Sequence, residues 1–392
     1  MINFTYYSPT KIIFGKDAEN AVGEEARCCG ATRALIHFGG GSAKKSGLLD
    51  RVAASLDAAG VDHVSLGGVQ PNPRLGLVRE GIALCKREGV DFILAVGGGS
   101  VIDSAKAISY GIANPFDVWE LFTGTRTPEA FAPVGCVPTI AAAGSEASYS
   151  TVITDEAGND KRAYNNDISR PAFAALNPEL TYTLPEYQSM AGAVDILMHT
   201  MERYFTDDSG DLVDRMSEGL MKCVMEAAPR VGKNPRDYDA RAELMWAGSL
   251  SHNGLTGVGR LSDFASHQLE HELSGMFDVA HGAGLSAIWP SWARYVYRHN
   301  IARFAQFAVR VMGCEMDFGD PEATAIRGID AMEAFFRSIG MPVSIAELGI
   351  PDLSDAQIDI MVDKCSRGGT RTVGNFVRLD GNAMRRIYEM AR

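Results

Sequence analysis

The sequence has no long apolar run and no basic tract. No stretch of the 392 residues approaches the apolar length that a membrane-spanning helix requires. Residues 1–7 lack the basic and apolar regions of a secretory signal peptide. The formal net charge is −12. We therefore expect neither a membrane nor a nucleic acid as partner, since nucleic acids and anionic membranes both bind basic surfaces.

Cysteine is scarce, and its spacing matches no zinc-binding pattern. The chain has seven cysteines, an odd number, and no two of them have the CxxC spacing of a metal or redox motif. Such cysteines are typical of small core or surface residues in a reducing compartment. The pattern predicts free thiols and a cytoplasmic protein.

The first half of the chain alternates short apolar runs with amphipathic helical patterns. Strands are predicted at residues 33–38, 61–66, 91–96 and 132–138. Helices are predicted at residues 49–59, 75–88 and 100–110. Strands that alternate with helices indicate a parallel sheet with helical crossovers, as in Rossmann-like folds. This part is predicted to be an α/β domain.

The second half reads as helices only. Long patterns with helical spacing cover residues 187–205, 212–228, 239–252 and 300–312, and strand candidates nearly disappear. The change falls near residue 185. We therefore predict two domains, an α/β domain at residues 1–185 and an all-helical domain at residues 186–392.

A glycine loop follows the third predicted strand. Residues 97–100 read Gly-Gly-Gly-Ser, and a helix start after such a loop offers free N–H groups to a phosphate. Ser100 is predicted to cap the helix, with Asp103 three residues later in a capping-box-like position. A tight structural turn explains such a loop about as well. Its position at the carboxyl end of a buried strand favours phosphate binding, because ligands of α/β sheets bind there.

A second glycine run, residues 39–42, follows the first predicted strand. NAD-binding folds often place an acidic residue near this strand end to bind ribose hydroxyls. Here the strand ends in His37 and Phe38, and Lys44 and Lys45 follow the loop. These residues favour NADP(H), whose extra phosphate would meet cations instead of a carboxylate. A solvated lysine pair at a helix start is an equally good explanation.

Histidine and aspartate recur at helical spacing in the second half. Asp195 and His199 are four residues apart, as are His267 and His271, so each pair would share a helix face. His281 lies 14 residues after His267, about 21 Å along one straight helix. Both can bind one metal only if the helix breaks between them, and the glycines and Asp278 of residues 275–284 offer that break. A single pair of this kind is more often a hydrogen bond in the core or an ion pair at the surface. The two pairs and His281, taken together, favour a metal site.

These residues resemble the iron-containing (group III) alcohol dehydrogenase family, and most closely its NADPH-linked butanol dehydrogenase and aldehyde reductase branch. The resemblance covers essentially the whole chain. The motifs that carry it are residues 9–15 (PTKIIFG), 97–106 (GGGSVIDSAK), 138–139 (PT), 144–146 (GSE) and 177–185 (NPELTYTLP), the pair Asp195 and His199, and the block from His267 and His271 to His281 and Gly282.

The resemblance implies a fold, a cofactor and a set of site residues. The fold would be dehydroquinate-synthase-like, with a dinucleotide-binding first domain, a metal-binding helical domain and a homodimeric assembly. The implied metal ligands are Asp195, His199, His267 and His281. His271 would lie near the nicotinamide without binding the metal. The implied cofactor residues are Gly39, Gly40, Gly41, Ser42, Gly98, Gly99, Ser100, Asp103, Thr139 and Lys161.

One position departs from the family. Members commonly carry threonine before the Gly-Ser-Glu motif, where this chain has Ala143, so a hydroxyl that could bind the cofactor is missing. Fe²⁺ is the expected metal, although a carboxylate with three imidazoles also suits Zn²⁺, Ni²⁺ or Co²⁺.

The function that follows from the sequence is reversible, metal-dependent hydride transfer between a primary alcohol or aldehyde and NADP(H). His271, the cofactor ribose or water could exchange the proton. Two alternatives remain open: NAD-linked oxidation of a polyol, as in glycerol dehydrogenases, and a metal- or nucleotide-binding protein without catalysis. Glycerol dehydrogenases and dehydroquinate synthases share the fold in family terms but resemble a pattern with fewer histidine ligands, so the fourth implied ligand, His267, argues against both.

Overall fold

Residues 7–184 form an α/β unit around a six-stranded sheet. The computed structural model describes residues 1–392, which divide into this unit and a second one of residues 185–392 with residues 1–6. All neighbouring strands of the sheet are parallel, in the order β1-β8-β5-β4-β2-β3. The strands are β1 (Lys11–Phe14), β2 (Arg33–Phe38), β3 (Asp62–Leu66), β4 (Phe92–Gly97), β5 (Val134–Pro138) and β8 (Phe173–Leu176), and an antiparallel hairpin adds β6 (Ser150–Asp155) and β7 (Asp160–Asn165).

Helices connect these strands. They are α1 (Val22–Cys28), α2 (Ser42–Lys45), α3 (Leu48–Ala58), α4 (Leu75–Glu88), α5 (Gly99–Ala113) and α6 (Trp119–Phe122). On one side of the sheet, Val22 of α1 and Val52 and Leu56 of α3 pack in a cluster with Ile36 and Leu94 of the sheet. Strand β4 is buried along its whole length. Apolar residues on both faces of a strand are typical of a parallel sheet.

The second unit contains only helices. They are α7 (Glu186–Tyr204), α8 (Asp211–Lys233), α9 (Tyr238–His252), α10 (Ala265–Phe277), α11 (His281–Val296), α12 (Ile301–Arg310), α13 (Pro321–Ser338), α14 (Asp355–Ser366) and α15 (Gly381–Ala391). Every residue of α7 from Ser189 to Tyr204 is buried, because α8, α9 and α11 pack around it. The polar side chains of α7 therefore lie inside the unit, where they need partners.

The fold class predicted from the sequence, an α/β part followed by an all-helical part, is confirmed. Residues 1–6 differ from the predicted boundaries, because they belong to the helical unit and not to the α/β unit. The amide of Ile2 donates to the carbonyl oxygen of Gly259 at 2.9 Å, and the N-terminal ammonium donates to Ser209 Oγ at 3.0 Å. No helix is both long and apolar enough to span a membrane.

Candidate active site

Helix α7 supplies two of the predicted metal ligands. Asp195 and His199 are four residues apart, and both side chains are buried, with 5% and 4% exposure. His199 Nδ1 lies 3.2 Å from Asp195 Oδ1. Because the helix is central in its unit, this face of α7 points at protein and not at solvent. Burying an ionisable pair is unfavourable unless a charged or polar partner compensates it.

The other two predicted ligands come from two separate helices. Helix α10 carries His267 and ends at Phe277, where Asp278 adopts a left-handed conformation with φ of 53°. Helix α11 then begins at His281 itself. The predicted break between His267 and His281 is thereby confirmed. The turn folds α11 back, so His281 Nε2 comes to 3.8 Å from Asp195 Oδ1 and His267 Nε2 to 3.7 Å.

A glycine makes this convergence possible. A Cβ atom on Gly282 would lie 1.9 Å from the carbonyl oxygen of Ala191 on α7. Only a residue without a side chain allows the first turn of α11 to touch the backbone of α7. That contact lies one residue after His281 and one helical turn before Asp195, so it sets the distance between the two.

Three buried polar atoms of this cluster have no hydrogen-bond partner. They are Asp195 Oδ1, His199 Nδ1 and His267 Nε2. Unpaired buried polar atoms are rare, and a site where several converge suggests an ion or a ligand. Donor atoms of Asp195, His267 and His281 all lie within 4.8 Å of one another. One carboxylate oxygen and imidazole nitrogens are donors that Fe²⁺ and Zn²⁺ accept. The residues present therefore fit a divalent metal ion; His199 lies beside this group through its contact with Asp195.

The sequence analysis did not identify two glutamates at this site. Glu202 of α7 and Glu270 of α10 are both fully buried, and each carboxylate contacts Nδ1 of a histidine, His267 and His281 respectively. The spacing held a signal for Glu202, which follows Asp195 by seven residues and His199 by three. These offsets place all three on one face of a helix.

The surroundings of the cluster shift the pKa values of His267 and His199 in opposite directions. Burial lowers the pKa of His267, but Glu202 and Asp195 outweigh it and raise the pKa to about 9. For His199, burial and the neighbouring histidines His252 and His267 hold the pKa well below its usual range. Two carboxylates, those of Glu202 and Asp195, lie near the His267 ring and favour a positive charge there. The same negative charge would favour a bound cation.

His271 lies at the edge of the cluster. It is one turn after His267 on α10 and is buried. Its ring centroid is 6.4 Å from that of His267 and 5.6 Å from that of His281. A donor atom of His271 lies within 4.8 Å of donor atoms of Glu270 and His281. The structure thus brings His271 close to the candidate ligands but outside the group that faces Asp195.

The α/β unit places both glycine runs at one edge of the sheet. Residues 39–42 follow β2 and residues 98–100 follow β4, and these strands are parallel neighbours. The chain runs from β2 to β3 on one side and from β4 to β5 on the other. The strand order therefore reverses between β2 and β4. Ligands of open α/β sheets bind at the carboxyl ends of the strands at such a switch point.

The helix after the second glycine run begins earlier than predicted. Gly98, and not Ser100, is the N-cap of α5, and no side chain caps it. The predicted role of Ser100 as a cap is wrong, because Gly99 already has helical backbone geometry. Asp103 makes no capping contact with that end either: its carboxylate accepts from Ser145 Oγ at 2.5 Å and from the amide of Val152 at 3.1 Å.

Thr139, Asp103 and Lys161 are three more of the predicted cofactor residues in the α/β unit. Thr139 follows β5, and its amide donates to the carbonyl oxygen of Gly97 at 3.1 Å. Burial raises the pKa of Asp103, and Lys106, Ser145, Val152 and Lys161 oppose that rise. Lys161, on β7, is itself buried.

The position that departs from the family lies at the start of α5. A Cβ atom added to Gly99 would be 3.2 Å from Cβ of Ala143. Residue 143 therefore borders the glycine loop, and the hydroxyl that a threonine would add is missing there.

Lys106 is a further buried group whose role the sequence did not reveal. It lies on α5 with no exposure. Its ammonium donates to Ser145 O, Ser148 O and Ser150 O at 2.7, 3.0 and 2.9 Å and to Ser145 Oγ at 3.1 Å. Burial lowers its pKa to about 8. These hydrogen bonds connect residues 145–150 to helix α5, which follows the glycine loop.

Glycine loops at a sheet switch point and a buried carboxylate–imidazole cluster are together typical of nucleotide-linked metalloenzymes. Residues 9–178 match the family model described as iron-containing alcohol dehydrogenase, and residues 189–392 match that of the C-terminal part of the same family. Together the two models cover most of the chain.

Individual relatives agree over the full length. The chain is 39% identical over 381 residues to a probable NADH-dependent butanol dehydrogenase of Bacillus subtilis, covering 97% of each. It is 36% identical over 396 residues to the NADPH-dependent aldehyde reductase YqhD of Escherichia coli, covering 100% of each. The crystal structure of an NADH-dependent butanol dehydrogenase A from Thermotoga maritima superposes with a TM-score of 0.96 at 36% identity, over 100% of this chain and 99% of that one.

This chain belongs to the iron-containing alcohol dehydrogenase family. It is an oxidoreductase of alcohols and aldehydes, as the sequence predicted. Its relatives include both NADH- and NADPH-linked enzymes, so the family alone leaves the choice of dinucleotide open.

Proposed function

We propose that this protein interconverts primary alcohols and aldehydes by metal-dependent hydride transfer with NADP(H). The observation that carries the proposal is the group of unpaired buried donor atoms on Asp195, His199 and His267, beside His281 Nε2. Asp195, His199, His267 and His281 would hold the ion. When bound, the ion supplies a Lewis acid that polarises the substrate oxygen.

The residues of the chain would position the ion, contact the substrate and transfer the proton. The four candidate ligands come from three helices, so packing fixes their positions before any ion binds. Phe264, at the start of α10, places its ring centroid 5.2 Å from that of His267. Phe264, whose ring also has the Arg203 guanidinium 4.7 Å from its centroid, is our candidate for contact with the carbon chain of a simple alcohol or aldehyde. His271 is our candidate for passing a proton to or from solvent, as an imidazole can do near neutral pH.

The α/β unit would bind the dinucleotide. Gly98, Gly99 and Ser100 would hold the pyrophosphate at the start of α5, where free N–H groups and the helix dipole favour an anion. Asp103, Thr139 and Lys161 would line the same site. Gly39, Gly40, Gly41 and Ser42 would receive the adenosine end.

NADP(H) is the dinucleotide that we propose. Strand β2 ends in His37 and Phe38, so no carboxylate repels a ribose phosphate there. Lys44 and Lys45 are exposed on α2, directly after the loop. The aldehyde reductase YqhD, which is similar over its whole length, is named as NADPH-dependent. A homodimer and a cytoplasmic location remain predictions of the sequence.

Steady-state kinetics on protein of measured metal content tests this function. Chelation should abolish the reduction of a short aldehyde series, such as propanal to hexanal, and Fe²⁺ or Zn²⁺ should restore it. The kcat/KM should be higher with NADPH than with NADH. Full turnover by a metal-free protein would overturn the proposal, and faster oxidation of glycerol with NAD⁺ would favour the polyol alternative.

Substitutions connect this activity to the named residues. Asp195→Asn and His267→Ala should each reduce metal content and activity together. His299→Ala is the matched control, because His299 is a partly exposed histidine of the same unit that pairs with Asp207 at 2.7 Å. Its loss should leave metal content and activity near those of the wild type.

A further inference from the structure

We propose that Glu202 and Glu270 are positioning residues for the metal centre. Each carboxylate would hold the Nδ1–H group of one candidate ligand, His267 or His281, and so direct the Nε2 lone pair of that ring at the ion. The inference rests on the proposed function in one respect, since it assumes that the cluster around Asp195 binds a metal. It assigns a function to two buried glutamates that the sequence analysis did not single out.

Glu202 contacts His267 through both of its carboxylate oxygens. Oε2 accepts from the ring Nδ1 in a short hydrogen bond, and Oε1 accepts from the backbone amide of His267 at 3.2 Å. The glutamate side chain has no exposure to solvent. A carboxylate that binds both the backbone and the ring of one residue fixes where that ring lies and which way it faces.

Glu270 contacts the ring of His281 but not its backbone amide. One oxygen accepts from His281 Nδ1, and the other accepts from the hydroxyl of Ser274 one turn later on α10. Room for this side chain comes from Gly284, where an added Cβ would lie 2.7 Å from Glu270 Oε1. Helix α11 thus carries a glycine at the point where the buried carboxylate passes it.

The tautomer of each ring follows from these contacts. A metal ion binds only the neutral imidazole and displaces a proton from a charged ring, and the neutral ring has one N–H donor and one acceptor nitrogen. The carboxylate takes the donor at Nδ1, so the acceptor lone pair must be at Nε2. In both residues Nε2 is the nitrogen that faces Asp195 Oδ1, at 3.7 Å for His267 and 3.8 Å for His281. The glutamates therefore leave the rings in the form that a metal ion needs.

The two carboxylates also supply negative charge at a distance from the ion. A hydrogen bond to a carboxylate makes the opposite nitrogen a stronger base, and loss of such a partner typically weakens metal binding about 10- to 100-fold. Burying two glutamates without exposure is unfavourable unless strong hydrogen bonds compensate them. A role in metal affinity explains why glutamates, and not apolar residues, occupy these places.

Metal affinity, measured separately from activity, tests the inference. The dissociation constant for Zn²⁺ is determined by competition with a chromophoric chelator, and the ligand field by the visible spectrum of the Co²⁺ form. The variants are Glu202→Gln and Glu270→Gln, which keep an acceptor but lose the charge, and Glu202→Met and Glu270→Met, which lose both. The control is Glu218→Gln, a buried glutamate of α8 that accepts from Tyr204 OH at 2.9 Å.

We expect each Met variant to bind Zn²⁺ about 10- to 100-fold more weakly than the wild type and to change the Co²⁺ spectrum. Each Gln variant should fall between its Met variant and the wild type, because the amide oxygen can still accept from Nδ1. Glu218→Gln should keep the wild-type affinity. Circular dichroism of the metal-free proteins checks the fold, and if a Met variant does not fold, its Gln partner decides.

Zn²⁺ affinities of the folded variants within twofold of the wild type would overturn the inference. The failure of the proposed function gives a different result: the wild type itself would then bind neither Zn²⁺ nor Co²⁺ at the cluster, or would reduce aldehydes without metal. A wild type that binds metal and is active, beside folded variants of equal affinity, contradicts only the role of the glutamates.

Discussion

Single buried ionisable residues organise the α/β unit. Lys106 is the clearest example, because it has no solvent exposure and its ammonium binds three carbonyl oxygens and a hydroxyl of residues 145–150. A buried ammonium is costly, and only several hydrogen bonds make it tolerable. This loop holds Ser145, which donates to Asp103. Lys106 therefore orders a segment beside the proposed cofactor site.

Lys106→Met should destabilise the unit and loosen that loop. The substitution leaves several buried acceptors without a donor, each worth about 1–3 kcal/mol, so we expect a loss of about 3 kcal/mol in the free energy of unfolding. The KM for NADPH should rise more than kcat falls. Denaturant unfolding and steady-state kinetics measure both quantities. Lys86→Met, at an exposed lysine of α4, is the control, and equal effects of the two substitutions would contradict this prediction.

His37 is a second buried group with a measurable consequence. Its Nδ1 lies 2.9 Å from the carbonyl oxygen of Leu66 and its Nε2 lies 2.8 Å from Ser104 Oγ. Burial lowers its pKa from 6.5 to about 4. Between these two pH values the unfolded chain binds a proton that the folded chain does not. Stability contributed by the neutral ring is therefore complete above pH 6.5 and falls as the pH decreases towards 4.

This shift predicts a pH-dependent difference between the wild type and His37→Gln, whose side chain does not titrate. Lowering the pH from 7 to 4 should destabilise the wild type by about 3 kcal/mol more than the variant. Chemical denaturation at several pH values measures the difference. Parallel stability curves for the two proteins would show that His37 titrates normally.

At the scale of elements, the contact between α7 and α11 determines the geometry of the candidate metal site. Helix α11 begins at His281, and its next residue, Gly282, touches the backbone of Ala191 on α7. Both elements were predictable as helices or helix starts. The distance between α7 and α11 depends on the absence of a side chain at Gly282. In the sequence this residue is only a glycine near a helix end, and nothing there indicates the close contact.

Gly282→Ala should separate these helices. The added methyl group would meet the carbonyl oxygen of Ala191 at 1.9 Å, and overpacking of this kind typically costs about 1–3 kcal/mol. We also expect weaker Zn²⁺ binding, because His281 moves away from Asp195. Thermal unfolding and chelator competition are the measurements.

Gly219→Ala is the matched control for that substitution. Gly219 lies on the exposed side of α8, and a Cβ there would meet nothing within 4 Å. Alanine should stabilise this helix by about 0.5–1 kcal/mol, because glycine loses more conformational entropy on folding. Unchanged Zn²⁺ affinity in Gly282→Ala would refute the geometric role of Gly282.

The sequence predicted some elements at their observed bounds and gave no range for others, among them the hairpin strands β6 and β7 and the helix α13. Residues 75–88 form α4 as predicted, and β2 has its predicted bounds. Strands β1 and β8 have only four residues each, too few for a period to be visible, and they were missed. The cap of α5 was also misplaced, because a glycine start leaves no side-chain signal and Ser100 offered a misleading one.

At the scale of the whole molecule, the two units should respond to different ligands. The glycine loops lie in the α/β unit, and the carboxylate–imidazole cluster lies in the helical unit. A ligand that binds only the folded form stabilises it, by about 2.7 kcal/mol at a concentration of 100 times Kd. The assignment of dinucleotide and metal to separate units is therefore open to direct measurement.

Hydrogen exchange should separate the two ligands. Zn²⁺ alone should slow amide exchange in α7 and in the first turns of α10 and α11. NADPH alone should slow exchange in residues 39–42 and 98–100 and at the start of α5. Mass spectrometry of peptic fragments measures both patterns. Metal-induced protection confined to residues 7–184 would contradict this assignment.

Local sequence determined a large part of this protein. Apolar periodicity and glycine loops define the α/β half and the helical half, because each pattern acts within one element. Three spacings, Asp195 to His199, His267 to His271 and His267 to His281, also favoured a metal site. The family resemblance then implied which four of these residues would be its ligands. The pairing of Glu202 and Glu270 with histidines, the burial of Lys106 and the approach of α11 to α7 were decided only by tertiary structure. Each of these depends on residues that are distant in sequence, or on a side chain that is absent, and no local period records such contacts.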